Sequence, residues 1–400
     1  MTKAIKIDLR EAALRRAIRR HLRSLGFGRN SEGHLVPPDL SKETYRRLHE
    51  GQRRGKFAKN TAFLADHGPA LLKYIAAGET LQPELMRPRL EVVEPGSLGA
   101  HLFRFASLYW RVPVSDGYGR RIRFLVWDDH NGKLIGLIGL GDPVFNLGAR
   151  DRLIGWDHKE RAQRLVNVMD AFVLGAVPPY SYLLGGKLVA CLVRTQEVVS
   201  IFREKYADTR GLISKKKKDP KLVAVTTSSA LGRSSIYNRL KLGGSLYYEP
   251  IGFTQGWGHF HFPDELFDDM RAYLLSRRDK YSTNNRFGQG PNWRFRAIRR
   301  ALDRLDLGGE VIHHGLKREV FFCKLADNAI EILNGRRKRP RYSTLLTVAE
   351  VAQLARERWI VPRANRNPEF RAWRPEQFLD DIMNNIEPVS EKKSADGKSE

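Results

Sequence analysis

The sequence predicts an α/β chain of the α+β kind, in which a central mixed sheet is flanked by basic helical regions on its N-terminal and C-terminal sides. Three observations predict it. Residues 121–142 read strand, turn, strand: β-branched and aromatic residues fill 122–127, and Asn131-Gly132 is the strongest hairpin pair in the chain. Both flanks carry helical periodicity rich in arginine. The 400 residues are 42% hydrophobic, enough for a folded core and more than one domain.

Four segments follow from these patterns. Residues 1–85 form a basic helical region that contacts nucleic acid, 96–262 an α/β core, 263–385 a mainly helical C-terminal region, and 386–400 a polar, disordered tail. Within the first, residues 8–25 read as a helix with Asp8 as cap and Glu11 three positions on, as in a capping box. Arg15, Arg19 and Arg23 recur at i, i+4 along it, beside Arg16 and Arg20. A single-sign stripe without acidic partners is unfavourable unless an anion neutralises it, and arginine forks grip phosphate bidentately. Ser41 caps a second basic helix; a third covers 59–77. Pro83, Pro88 and Pro95 mark a linker.

In the core, residues 159–175 read as a helix and about 183–206 as another, opened by Gly185-Gly186. Residues 221–227 then read as a strand, followed by a short helix around Ser234 and Ser235 and a strand through Leu246, Tyr247 and Tyr248. Residues 215–218 are a basic loop and 252–261 a final hairpin or edge strand. Beyond it, 263–278 and 293–305 fit helices, 318–333 is apolar, 336–341 is the run RRKRPR, and 347–359 is helical.

Charge bounds the partners. Lys and Arg number 70 against 45 Asp and Glu, a net charge of +25. Such an excess repels itself in a compact chain and favours encounter with a polyanion, so nucleic acid, DNA above all, is the expected partner. Cys191 and Cys323 are too few for a disulfide framework or a zinc finger. No apolar run reaches the ~18 residues of a spanning helix and the N-terminus lacks a signal-peptide core, so a cytoplasmic protein with no membrane partner is expected.

The candidate chemistry lies in the core. Asp142, Asp151 and Asp157 follow strand ends and loops, and three converging carboxylates would hold Mg²⁺ for phosphodiester cleavage. Asp142 before Pro143 also suits a turn, and Asp157 also suits a helix cap. Asp128 and Asp129, beside Asn131-Gly132, are better explained by turn chemistry. Arg150 and Trp156 complete the loop, with Trp156 placed to stack a base. Ser228, Ser229, Arg233, Ser234, Ser235 and Tyr237 gather hydroxyls, amides and a guanidinium after a strand, a pattern that suits a phosphate or plain helix capping. His259, His261, His313 and His314 would be metal ligands or structural histidines.

Two resemblances bear on these residues. The order hairpin, loop, helix, Gly-Gly helix, strand, helix, strand resembles the later half of the GNAT acetyltransferase fold. LLGGKLVACLV stands where that fold binds a pyrophosphate, and SSIYNRLKLGGSLYYEPIGF is similar to its ending; residues 182–187 do not reproduce the Gln/Arg-x-x-Gly-x-Gly/Ala signature. Separately, YWRVPVSDGYGRRIRFLVWDDHNGKLIGLIGLGDPVFNLGARDRLIGWD, RLVNVMDAFVLGAVPPYSYLLGGKLVA and SSALGRSSIYNRL resemble the DruA-like proteins of Druantia anti-phage islands. This likeness implies a role in phage defence or mobile-element biology, beside other defence-island proteins, and carries over no catalytic residues. Three functions stay open: a Mg²⁺-dependent nuclease or transposase-like enzyme, a GNAT-like transferase using an acyl-CoA-like donor, and a non-enzymatic sensor or adaptor.

Overall fold

The computed structural model describes residues 9–116, 119–208, 220–282 and 293–384. The Asp8 cap, the 215–218 loop and the 386–400 tail fall outside them. Seven strands build one mixed sheet: β1 (Pro88–Val92), β2 (Arg121–Asp128), β3 (Lys133–Gly141), β4 (Val168–Ala176), β5 (Ala224–Ser228), β6 (Glu249–Phe253) and β7 (Glu319–Lys324). Their spatial order is β6-β7-β5-β4-β3-β2-β1. Every neighbouring pair is antiparallel except β4 and β5, which run parallel.

The β2–β3 hairpin forms where the turn chemistry placed it. Gly132 takes a positive φ of 69° that a side chain would resist. The Asp128 carboxylate accepts the Arg87 and His130 amides at 2.9 and 3.1 Å, while the Tyr180 hydroxyl donates to it at 2.9 Å. Asp128 is thus a pin of the hairpin. The proline-marked linker contains β1, which pairs along β2 from Pro88↔Asp128 to Val92↔Phe124. Proline is tolerated there because β1 is an edge strand and Pro88 its first residue.

Three other expectations are corrected. The helix read over 159–175 stops at Arg164: α7 (His158–Arg164) is short, and the chain re-emerges as β4. Val168, Met169, Ala171, Val173 and Leu174 are buried on both sides of the sheet, and such a strand has a near-continuous apolar run that mimics a buried helix. The helix over 183–206 is two, α8 (Gly185–Leu192) and α9 (Gln196–Tyr206), parted where Thr195 bridges to Leu346. Residues around Ser234 form turns instead of a helix, with Gly232 and Arg239 at φ 79° and 60°.

Both faces of the sheet are covered. On one, Ile122, Phe124, Ile138, Met169, Val225 and Phe321 pack with α8, α9 and α13 (Val348–Ala355). On the other, Leu125, Leu137 and Val173 pack with α4 (Thr61–Leu71), α5 (Leu98–Ser107) and Phe378 of α15 (Glu376–Asn384). A separate apolar cluster joins α1 (Leu9–Ser24) to α10 (Asp264–Ser276) and α11 (Trp293–Arg304) through Leu14, Ile18, Leu22, Met270, Ile298 and Leu302. Among the described residues, no helix is long and apolar enough to cross a membrane.

Candidate site at the fork of the sheet

The parallel pair is where the sheet splits. β4 and β5 are in register only at Val168↔Ala224, Met169↔Val225 and Asp170↔Thr226. Beyond that rung β4 continues along β3 to Ala176, and β5 continues along β7 to Ser228. Phe172 is the extra residue of a bulge, since Ala171 faces Leu140 while Val173 faces Gly139. A bulge bends its strand and deepens the local twist, which helps β4 leave β5. The result is a fork with Asp170 and Thr226 at its apex.

Asp170 is the most perturbed carboxylate at this point. Burial in the sheet pushes its pKa up to about 6, against the opposing pull of the Thr226 hydrogen bond and the nearby Arg150 guanidinium. Thr226 donates from Oγ1 to Asp170 Oδ1 at 2.6 Å, and Thr227 Oγ1 caps the Ala171 carbonyl at 2.9 Å. A carboxyl that titrates near neutrality beside a hydroxyl has the properties of a general acid or base. Ser228, half-buried, lies two residues along β5 and therefore shares a face with Thr226. At the far end of β4, the Trp110 indole lies on Gly175, where an added Cβ would sit 2.4 Å from the ring. Asp170 escaped sequence reasoning because residues 159–175 read as a helix, the near-continuous apolar run of β4 leaving little alternation to mark it as a strand.

The three aspartates chosen from the sequence are employed elsewhere. Asp142 accepts Arg120 Nε at 2.8 Å and the Arg120 amide at 3.0 Å; the same guanidinium donates to the Val166 and Val168 carbonyls. Asp151 is nearly buried between Arg150 (2.7 Å) and Arg161 (2.8 Å). Asp157 accepts the Glu160 amide at 2.7 Å in a capping box that starts α7. Among the described residues no group of three His, Cys, Asp or Glu is placed to hold a metal ion. These carboxylates therefore do not fit the Mg²⁺ set expected of them, and His259, His261, His313 and His314 likewise form no such group.

The expected nucleic-acid contacts divide. Arg150, on α6 (Gly148–Ile154), is fully buried, its guanidinium donating to Asp151 and to the Val144 and Phe145 carbonyls. Trp156 is buried too, with Nε1 donating to Leu333 O at 2.6 Å. Both belong to the core and cannot meet a base or a phosphate there. Tyr237 is buried between Tyr248 and Phe321, and Ser229 is buried beside β7. Ser234 Oγ accepts the Ile236 and Tyr237 amides, a turn-forming role, while Arg233 and Ser235 are exposed. On α1, Arg15 pairs with Glu11 and Asp306, whereas Arg16, Arg19, Arg20 and Arg23 are exposed.

Comparison with known proteins places the chain. The family model described as "Druantia protein DruA" matches residues 39–335. The chain is 50% identical over 380 residues to the Druantia protein DruA of Escherichia coli (strain UMEA 4076-1), covering 95% of this chain and 94% of that protein. No solved structure matches. The chain belongs to the DruA family.

Proposed function

We propose that this chain acts in anti-phage defence, or in mobile-element biology, by binding DNA, with the α/β core as the seat of any processing. One observation carries the reading. Arg16, Arg19, Arg20 and Arg23 stand exposed over two turns of α1, and the opposite edge of that helix is anchored by Leu14, Ile18 and Leu22. The stripe is held in place by the core and faces outward on a chain of net charge +25. A fixed array of guanidinium groups suits phosphate oxygens, and its affinity should fall steeply with salt.

The test is titration of labelled single- and double-stranded DNA with the full chain across a salt series, with Mg²⁺ and with EDTA. Binding that weakens with salt, and weakens at least tenfold in the Arg16→Gln, Arg19→Gln, Arg20→Gln, Arg23→Gln variant, supports the reading. Absence of binding at low salt overturns it. Cleavage in the same samples would point to processing, and binding without cleavage to a sensor or adaptor.

A second reading, a GNAT-like transferase, is favoured by the connectivity. Five antiparallel neighbouring pairs and a single parallel pair that forks beside a bulge, followed by a helix opening on Gly185-Gly186, accord with that fold. The opening of α8 speaks against a pyrophosphate there. Leu184 is left-handed, and a Cβ on Gly185 would lie 2.6 Å from the Tyr180 carbonyl oxygen, so the preceding 3₁₀ turn is packed onto this end. Calorimetric titration with coenzyme A distinguishes the readings; no heat at millimolar ligand would remove the transferase.

A further inference from the structure

A second basic element is built differently from α1. Arg336, Arg337, Lys338, Arg339 and Arg341 are all exposed, and no hydrogen bond or ion pair joins their side chains to another described residue. The backbone beneath them is tied at almost every position. The Arg336 amide donates to Asn334 Oδ1 (3.1 Å) and the Arg337 amide to Glu331 O (3.0 Å). Lys221 Nζ donates to Lys338 O (3.2 Å). Asn328, itself buried, donates from Nδ2 to Arg339 O (3.1 Å) and accepts the Arg341 amide at Oδ1 (2.9 Å), while Arg341 O accepts the Asp327 amide (2.7 Å).

The base of this loop is equally fixed. It leaves α12 (Ala329–Leu333), whose Ala329, Ile332 and Leu333 are buried with Ile154, Trp156 and Phe322. Gly335, at φ 82°, lets the Arg164 guanidinium cross so close that a Cβ there would lie 2.3 Å from it. Two exposed acids lie close in the chain: Asp327 accepts Ser343 and Thr344 at its two carboxylate oxygens, and Glu331 forms no ion pair with the five basic side chains.

A solvated basic run would relax its mutual repulsion by moving; this one is denied that freedom by its own backbone bonds. Five like charges held in place without an ion pair are unfavourable in the free protein and preorganised for a row of anions. We infer that loop 336–341 is a preformed edge that grips consecutive phosphates of a nucleic-acid backbone. The inference rests on the DNA-binding reading and adds a second, separate contact to it. Arginine and lysine together, without aromatic side chains among them, suit backbone contact and not base reading.

The experiment compares the full chain with its Arg336→Gln, Arg337→Gln, Lys338→Gln, Arg339→Gln variant on the same labelled duplex and single strand, with the slope of log affinity against log salt as readout. The expected result is a loss of tenfold or more at low salt and a slope smaller by about 3, as for loss of roughly four phosphate contacts. The Arg336→Lys, Arg337→Lys, Arg339→Lys variant keeps the charges and should keep the slope, which separates charge loss from misfolding. If the wild type binds and the glutamine variant keeps its slope, the loop is no contact, although the DNA-binding reading stands. Binding of polyglutamate that the glutamine variant loses, while its DNA affinity and salt slope stay unchanged, would assign the loop to an acidic protein and overturn the inference. Failure of the wild type to bind either strand form overturns both.

Discussion

Asp170 shows how a single carboxylate can register its place at the fork. Its pKa is pushed from 3.8 up to about 6 by burial in the sheet. The folded state thus prefers the protonated form, so the protein loses stability as pH rises from about 4 through 6. Asp170→Asn keeps an acceptor for Thr226 Oγ1 and removes the titration. The variant should match the wild type at pH 4 and exceed it at pH 8 by up to about 3 kcal/mol, the equivalent of the shift. Urea unfolding of both proteins at the two pH values checks this, and an equal difference at each would dismiss the buried charge. A residue kept against such a cost at a strand fork is a candidate for chemistry. The sequence-selected aspartates have structural partners instead: Arg120 pairs with Asp142, Arg150 and Arg161 pair with Asp151, and Asp157 caps its own helix.

At the scale of elements, local chemistry was legible and long-range assembly was not. Asn131-Gly132 announced the β2–β3 hairpin because a turn is specified by the residues within it. β4 was misread because burial on both faces erases alternation, and with it went the fork and Asp170. The union of α1 with α10 and α11 joins residues some 250 positions apart, which no local pattern encodes. The junction of this helical cluster with the core has its own pH signature. His49 Nδ1 faces Tyr45 O at 2.7 Å and its Nε2 faces Arg318 Nη2 at 2.8 Å, so Nε2 must accept and the ring must be neutral. His314 Nδ1 accepts the Leu316 amide, and His261 Nε2 faces Val311 O. Burial lowers His49 and His261 to about 3 and His314 to about 2, with Arg318 beside the first and last and with His21, His259 and His313 adding to the like charge. Depressed folded values mean stability that is complete above about pH 6.5 and lost as pH falls below it. Thermal melting should therefore drop steeply between pH 7 and 5, and His314→Gln should flatten that drop. A melting temperature unchanged over this range would refute the neutral cluster.

For the whole molecule, the charge imbalance is the dominant fact. A net +25 on a folded chain of 400 residues raises the free energy of the compact state through self-repulsion. The exposed arginines of α1 and the loop 336–341 concentrate that repulsion on surfaces the backbone holds rigid. A polyanion that binds only the folded state relieves it, and linkage fixes the size of the effect: about 2.7 kcal/mol at a hundredfold excess over the dissociation constant. DNA should thus raise the midpoint of thermal unfolding in a concentration-dependent way, and added salt should erase the gain by weakening binding. Simple screening predicts the opposite pairing, in which salt alone stabilises and DNA adds nothing. Differential scanning fluorimetry of the full chain, with and without a duplex at two salt concentrations, separates the two. The glutamine variant of loop 336–341 should melt higher than the wild type without DNA, having lost repulsion, and gain less when DNA is added. That inverse pairing follows only if the same charges that strain the free protein are the ones that hold its ligand.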